Sequence, residues 1–147
     1  MVKYKTKKLT FKNNNCKYYI SMDQFSNPKP VYDLEERTFQ FAKRVRLYIK
    51  SIPKTTSNIE DGKQVVRASG SVGANYIEAN ESLSRRDFLM RVKISRKEAK
   101  ECAFFLRLIY ETNDAEYEPE GVTLHNEAVQ LKKNTFSYYR KIKIIYP

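Results

Sequence analysis

Apolar and small residues recur at helical spacing in four stretches of the chain. The first stretch follows Asp33 and ends before Pro53. Its recurring positions are Leu34, Thr38, Phe41, Val45, Tyr48 and Ile52. Alternating steps of four and three residues place these side chains on one stripe of an amphipathic helix. Asp33 is a suitable N-cap and Pro53 cannot continue a helix, so the pattern predicts both ends as well.

The second stretch, residues 58–82, is unusual for its small residues. It carries two seams, which are Ile59, Val66, Gly70, Gly73 and Ile77, and Val65, Ser69, Val72 and Tyr76. Gly and Ser weaken an isolated helix, so their presence predicts a neighbouring helix that approaches closely. Two seams predict two neighbours. Asn58 is predicted to cap the N-terminus of this helix.

The third stretch, residues 84–110, has the most regular period. Its stripe consists of Phe88, Val92, Ser95, Ala99, Cys102, Leu106 and Ile109. Ser84 and Asp87 resemble a capping box at its start. Residues 104–110 are apolar on almost every side of the helix, and such a segment is expected to be buried on every side. We therefore predict that this segment forms part of a subunit interface as well as the core.

The fourth stretch follows an acidic turn predicted at residues 113–121. Its apolar positions are Leu124, Ala128, Leu131, Thr135, Tyr138 and Ile142. Short connections make consecutive helices antiparallel neighbours. The sequence thus predicts an all-α domain over residues 32–147, an up-down-up-down antiparallel four-helix bundle. Residues 1–31 are predicted to be a basic, poorly structured leader and linker.

Length and composition restrict the protein class. The 147 residues suffice for one domain with its own core. No window approaches the ~18 apolar residues of a membrane span, and the basic N-terminus leads into no apolar signal segment. Cys16 and Cys102 match no metal-binding spacing, which favours reduced thiols in a cytoplasmic protein.

Much of the net charge of +11 comes from residues 1–21, which hold six lysines and no acid. Two interpretations of this leader stay open. It is either a basic arm that contacts a polyanion or an upstream extension without a role, with Met22 as an alternative start.

Within the bundle, positive charge concentrates at the middle levels of the helices. Ten basic residues and three acids share these levels, namely Lys43, Arg44, Arg46, Arg67, Lys93, Arg96, Lys97, Lys100, Lys132 and Lys133 against Glu98, Glu101 and Glu127. All ten except Arg67 are candidate nucleic-acid ligands, because a basic belt suits phosphate contacts without sequence reading. The alternative is that these side chains only solvate helix faces.

Polar residues on the second and third helices are predicted to form interhelical pairs. If the two helices pair about residue 83, Arg67 meets Glu98 or Glu101. By the same register, Glu78 and Asn75 lie near Arg91. Charge-assisted pairs at a helix interface fix register while adding little net stability.

A carboxylate metal site is the alternative use of the acids on these two helices, which are Glu78, Glu81, Glu98 and Glu101. Di-iron bundles require Glu-x-x-His on two helices. The single histidine, His125, belongs to no such motif. We predict no metal, no cofactor and no catalytic residue.

Three segments together carry a family resemblance. They are Ser69 to Ala79, Ser84 to Phe88 and Ile94 to Cys102. From about residue 32 onward, the chain resembles the four-helix-bundle proteins of the 23S ribosomal RNA intervening-sequence group. A related branch is the accessory variability determinant of diversity-generating retroelements, which partners a reverse transcriptase and binds nucleic acid. The resemblance implies a homopentameric barrel without an assigned activity.

Two functions from different classes are compatible with the sequence. The first is a non-enzymatic, oligomeric bundle that binds RNA or DNA, as an accessory to a reverse transcriptase or another nucleic-acid machine. The second is a protein–protein interaction scaffold without a nucleic-acid role. Salt-titrated binding to nucleic acid discriminates between them.

Overall fold

The computed structural model describes residues 10–12, 15–17 and 33–145. Four long helices account for most of them. The helices are α1 Leu34–Ser51, α2 Thr56–Asn80, α3 Arg85–Thr112 and α4 Glu118–Ile145, and a 3-10 turn, Ala115–Tyr117, connects α3 to α4. The architecture is all-α in these helices and consistent with a four-helix bundle. None of the described helices is long and apolar enough to cross a membrane.

Part of the leader forms regular structure where the sequence predicts irregular chain. Strands β1 Thr10–Lys12 and β2 Asn15–Lys17 pair antiparallel, with Phe11 opposite Cys16. The other residues of the leader, 1–9, 13–14 and 18–31, lie outside the described part of the chain.

The predicted stripes form the core. Every stripe position predicted in α1 and α3 is buried, and so are Leu124, Ala128, Leu131 and Thr135 in α4. The side chains of Tyr138 and Ile142, which continue the α4 stripe in the sequence, lie outside those that the structure describes. On α2, the seam of Val65, Ser69 and Val72 is buried, with Tyr76 half-buried. The other predicted seam of α2 is only partly covered: Val66, Gly70 and Gly73 are half-buried, while Ile59 and Ile77 are exposed. The periodicity argument is therefore confirmed for one stripe on each helix and only in part for the second seam of α2.

Contacts between helices show how neighbours are oriented. The Ser95 hydroxyl of α3 donates to the Val72 backbone oxygen of α2 at 2.8 Å, and the Cys102 thiol lies 3.9 Å from the Val65 oxygen. Residue numbers rise on one helix as they fall on the other, so α2 and α3 run antiparallel. The ion pairs of Arg37 with Glu127 and Arg44 with Glu120 give the same relation for α1 and α4. Helix α1 packs mainly on α2 and α4, and α3 packs on the same two helices, so α1 and α3 are diagonal.

Two of the predicted helix starts are right and two are wrong. The Asp33 carboxylate accepts the backbone N–H groups of Glu35 and Glu36, and the Ser84 hydroxyl accepts that of Asp87. Helix α2, however, begins at Thr56, and its N-cap is Thr55 rather than Asn58. Helix α4 begins at Glu118, inside the predicted turn.

Asn58 instead joins three segments of the chain. Its side-chain amide donates to the Pro53 oxygen at 2.9 Å and to the Asn113 side-chain oxygen at 2.7 Å. Asn113 donates back to the Asn58 side-chain oxygen at 2.9 Å and to the Ile109 oxygen at 2.7 Å. Because Asn58 is buried, this amide pair ties the start of α2 to the end of α3 with its polar atoms satisfied.

We expect Asn58→Ala to lower the free energy of unfolding by about 1–2 kcal/mol, because it removes three hydrogen bonds and leaves Asn113 with an unmatched amide. Urea denaturation measures the change. Asn75→Ala is the matched control, since Asn75 bonds only the Ser71 oxygen of its own helix in the described contacts. Equal stabilities of the two variants would contradict the role of the amide pair.

Candidate nucleic-acid interface

The outer surface of α3 carries a row of cations. Lys93, Arg96, Lys97 and Lys100 are all exposed, whereas Ser95, Ala99 and Cys102 on the opposite side are buried. Steps of three and four residues bring successive side chains about 5–6 Å apart on one helix face. This separation is close to that of successive phosphates on a nucleic-acid strand.

The single acid between Lys93 and Lys100 lies on another side of α3. Glu98 is half-buried, and it stands seven residues after Arg91 and three before Glu101. Both of these residues pair with α2, Arg91 with Glu78 and Glu101 with Arg67. By helical spacing, Glu98 therefore faces α2 rather than the cationic row.

Helix α4 adds two more cations beside this row. Lys132 is half-buried and Lys133 is exposed. Tyr110, near the end of α3, contacts Gly121 and His125 near the start of α4. The C-terminal half of α4 therefore lies beside the N-terminal half of α3. The last acid of α4, Glu127, pairs with Arg37 on the α1 side.

We call this surface the α3–α4 basic face. It consists of Lys93, Arg96, Lys97, Lys100, Lys132 and Lys133. Within residues 93–100 and 132–133 the one carboxylate is Glu98, which faces α2.

The other three candidates, all on α1, lie away from this face. Helix α1 is diagonal to α3, so the outer surfaces of the two helices point in different directions. Arg44 pairs with Glu120 at 2.9 Å. Arg46 donates to the Ala42 backbone oxygen at 3.0 Å, and Lys43 and Arg46 line a groove between α1 and α2. The predicted belt is thus divided between two surfaces and is not continuous round one subunit.

The predicted polar pairs lie between α2 and α3. Arg67 donates to Glu101 at 3.3 Å, and Arg91 forms an ion pair with Glu78. Asn75 donates to the Ser71 oxygen within α2. The side chain of Arg67 is 69% exposed, so this pair contributes little stability and serves mainly to match the two helices in register.

The described residues show neither a reactive thiol nor a cluster of metal ligands. Burial raises the pKa of the Cys102 thiol, and the nearby charges of Glu98 and Glu101 raise it further. A thiol held protonated in this way is a weak nucleophile. Among the residues that the structure describes, no three His, Cys, Asp or Glu side chains converge to hold a metal ion. The chemistry available to the α3–α4 basic face is binding of anions.

Sequence reasoning missed the groove between α1 and α2. It has a volume of about 610 Å³ and exposes Phe39, Leu47 and Ile77 at its sides, with Gly70 and Gly73 on its floor. The signal was present in the seam of α2 that contains Gly70, Gly73 and Ile77. That seam faces α1, but α1 covers only part of it, so its apolar ends stay exposed.

Comparison with known proteins places this geometry among relatives. A family model described as 23S rRNA-intervening sequence protein matches residues 32–137. No curated protein matches the chain. A solved structure from Bacteroides thetaiotaomicron, described as a protein of unknown function from the S23 ribosomal protein family, is 27% identical. The match covers 73% of this chain and 95% of that one, with a TM-score of 0.64.

Proposed function

Because the chain belongs to the family of 23S rRNA-intervening sequence proteins, we propose that it is a non-enzymatic protein that binds RNA or DNA. The observation that carries the proposal is the α3–α4 basic face, on which six cations are brought together on adjacent helices while the nearby acids face other helices. Such a surface favours a polyanion over a neutral partner. A nucleic-acid target is consistent with a cytoplasmic location.

The chemistry of the face indicates how it binds. Its side chains are Lys and Arg on helix exteriors, which contact phosphates and carry no sequence information by themselves. We therefore propose binding that depends on charge and is largely independent of sequence. The accessory role beside a reverse transcriptase or another nucleic-acid machine is proposed from the family resemblance. It requires the same charge-dependent binding.

The proposal includes assembly of several copies. The antiparallel contacts of α1 with α4 and of α2 with α3, together with the packing of α1 on α2, support an up-down-up-down bundle. In residues 104–110, Leu106 and Ile109 are buried, but Phe104 and Leu108 stay 59% and 37% exposed. Their exposure supports the predicted oligomer, with the pentameric barrel as its form, because a subunit interface would cover them. A ring would repeat the basic face in every subunit.

Salt-titrated binding of the protein to mixed-sequence RNA and DNA tests the function. Neutralising four to six phosphates should give a slope of about −3 to −5 in a plot of log affinity against log salt concentration. Binding should be measurable at about 100 mM salt. No detectable binding at that salt concentration would overturn the nucleic-acid function.

The exposed groove favours a second candidate, an interaction scaffold whose basic face only solvates the bundle. This function predicts an intact oligomer that binds neither RNA nor DNA. The same titration, combined with light scattering, therefore discriminates between the two functions.

A further inference from the structure

A straight line of exposed side chains runs along the outer surface of α3 and extends beyond the α3–α4 basic face at both ends. It consists of Arg86, Lys93, Lys97, Lys100 and Phe104, which follow at steps of seven, four, three and four residues and are all exposed. Such steps keep side chains on one side of a helix. We call these five residues the α3 track. Its ends are 18 residues apart, which is about 27 Å at a rise of ~1.5 Å per residue.

The acids in this part of α3 lie to the side of the track. Three acids occur between Arg86 and Phe104, namely Asp87, Glu98 and Glu101. They lie on the side of the helix that faces α2, where the ion pairs with α2 are formed. The next acid, Glu111, lies two turns beyond Phe104 and pairs with Arg107. The track itself is therefore cationic along its length up to Phe104.

Phe104 ends the track with an exposed aromatic ring. The residue is 59% exposed, and it follows Lys100 by one turn of the helix. Its ring packs edge-on against Phe105, with centroids 5.2 Å apart. Because Phe105 packs against the core, the exposed ring is supported from below and held in line with the cations.

Cations in line with an exposed aromatic ring are typical of proteins that bind single-stranded nucleic acid. In such proteins the cations contact the phosphates, and bases stack on the ring. The bases of a duplex are stacked on one another inside it and are reached only after unpairing. Lysines therefore attract either form of nucleic acid, whereas Phe104 can stack only on the base of an unpaired strand.

We propose that the α3 track binds a single strand of RNA or DNA, with the phosphates along its four cations and one base stacked on Phe104. This inference rests on the proposed function and names the class of nucleic acid that the surface takes. It also adds Arg86 to the phosphate ligands. About four to five nucleotides of an extended strand cover the track, which is within the range of site sizes of single-strand binders.

The inference gives different roles to the two exposed apolar residues near the end of α3. Leu108 is turned towards the α2 side, because Glu101, seven residues earlier, pairs with Arg67. Phe104 lies in line with the cations instead. The interface of the proposed assembly therefore includes Leu108, and Phe104 is left to the nucleic acid.

Phe104→Leu separates stacking from charge, because it removes the aromatic ring and keeps an apolar side chain and the net charge. Fluorescence anisotropy measures the binding of mixed-sequence RNA and DNA strands, alone and annealed to their complements. The variant should bind the single strands about five- to tenfold more weakly and the duplexes as tightly as the parent. Phe104→Trp, which keeps an aromatic ring, should bind the single strands at least as tightly as the parent.

Phe39→Leu is the matched control. Phe39 is also 59% exposed, but it lies on α1, which is diagonal to α3. The same change at this position should leave the affinities for single strands and duplexes unaltered. If it weakened single-strand binding as much as Phe104→Leu, the assignment of stacking to Phe104 would be overturned.

Arg86→Ala tests the extent of the track. Loss of one phosphate contact should make the plot of log affinity against log salt concentration shallower by about 0.7 for a single strand. An unchanged slope would overturn a track that reaches Arg86.

The outcomes separate the inference from the function on which it rests. Absence of binding to RNA and DNA in both forms at about 100 mM salt would overturn both. Binding in which Phe104→Leu acts equally on single strands and duplexes, or on neither, would overturn the inference and leave the nucleic-acid function standing. So would light scattering that shows Phe104→Leu, unlike the parent, to be a monomer near 17.4 kDa, because Phe104 would then serve the subunit interface.

Discussion

Replacing Lys97, Lys100 and Lys133 together with alanine is expected to weaken binding to mixed-sequence duplex nucleic acid by about two to three orders of magnitude at about 100 mM salt. Each lost phosphate contact removes about 0.9 from the slope of log affinity against log salt concentration, so the slope should become shallower by nearly three. The three side chains are exposed and lie far from the core, so the fold should be unaffected. Fluorescence anisotropy at several salt concentrations measures both quantities.

A control variant with the same loss of charge tests whether the α3–α4 basic face, rather than overall charge, is responsible for the loss of affinity. Lys50, Lys54 and Lys63 are exposed cations outside the α3–α4 basic face. Changing these three to alanine lowers the net charge equally and should alter the slope much less. If both triple variants lost the same affinity, binding would depend on overall charge rather than on this face.

The basic face illustrates which part of the site the sequence predicts. Six of the nine candidate cations do lie together, because α3 and α4 are neighbours. The other three were grouped with them by their level along the bundle. The position of a residue along the bundle axis follows from its number and from the lengths of the connections. The side of the bundle that it faces depends on which helices are diagonal. Arg44, for example, is at the right level but pairs with Glu120 on the opposite side of α4 from the basic face.

The fold was more predictable than the site because burial acts on every turn of a helix. In a repeated stripe such as that of α3, every turn indicates the same buried face, so one ambiguous residue does not change the prediction. Helix ends depend on single residues. Thr55 and Asn58 are both good N-caps, and the choice between them depends on Asn113, which is distant in sequence and contacts Asn58 only in the folded chain.

The start of α4 was wrong for a related reason. Pro119 and Gly121 are typical turn residues, yet Pro is also accepted in the first turn of a helix. Gly121 is buried inside α4 because of what surrounds it rather than because of its backbone preference. A Cβ at this position would overlap Tyr110 Cβ on α3 and would lie 2.7 Å from the Tyr48 hydroxyl oxygen of α1. Gly121 therefore lies at a point where α1, α3 and α4 come close together.

Gly121→Ala is accordingly expected to lower the free energy of unfolding by about 2–3 kcal/mol, at the upper end of the usual cost of overpacking. The clash involves Tyr110 Cβ, which is fixed by the α3 backbone and cannot turn away. Tyr48 has little freedom to adjust either. It is buried among core side chains, which restrict its movement. Its hydroxyl lacks a partner among the described residues, and burial together with the Glu120 charge raises its pKa to about 12. Chemical denaturation at neutral pH measures the loss.

Gly70→Ala is the matched control, because it makes the same change inside α2 where only the exposed end of the Arg46 side chain is near, at 3.4 Å. Alanine is the better helix former by about 1 kcal/mol, so this variant should be as stable as the parent or more stable. Both variants should be compared at a protein concentration where light scattering shows the same assembly as for the parent. If Gly121→Ala were also stabilising, α4 could shift away from Tyr110 at little cost, and close approach would not be the reason for glycine at that position.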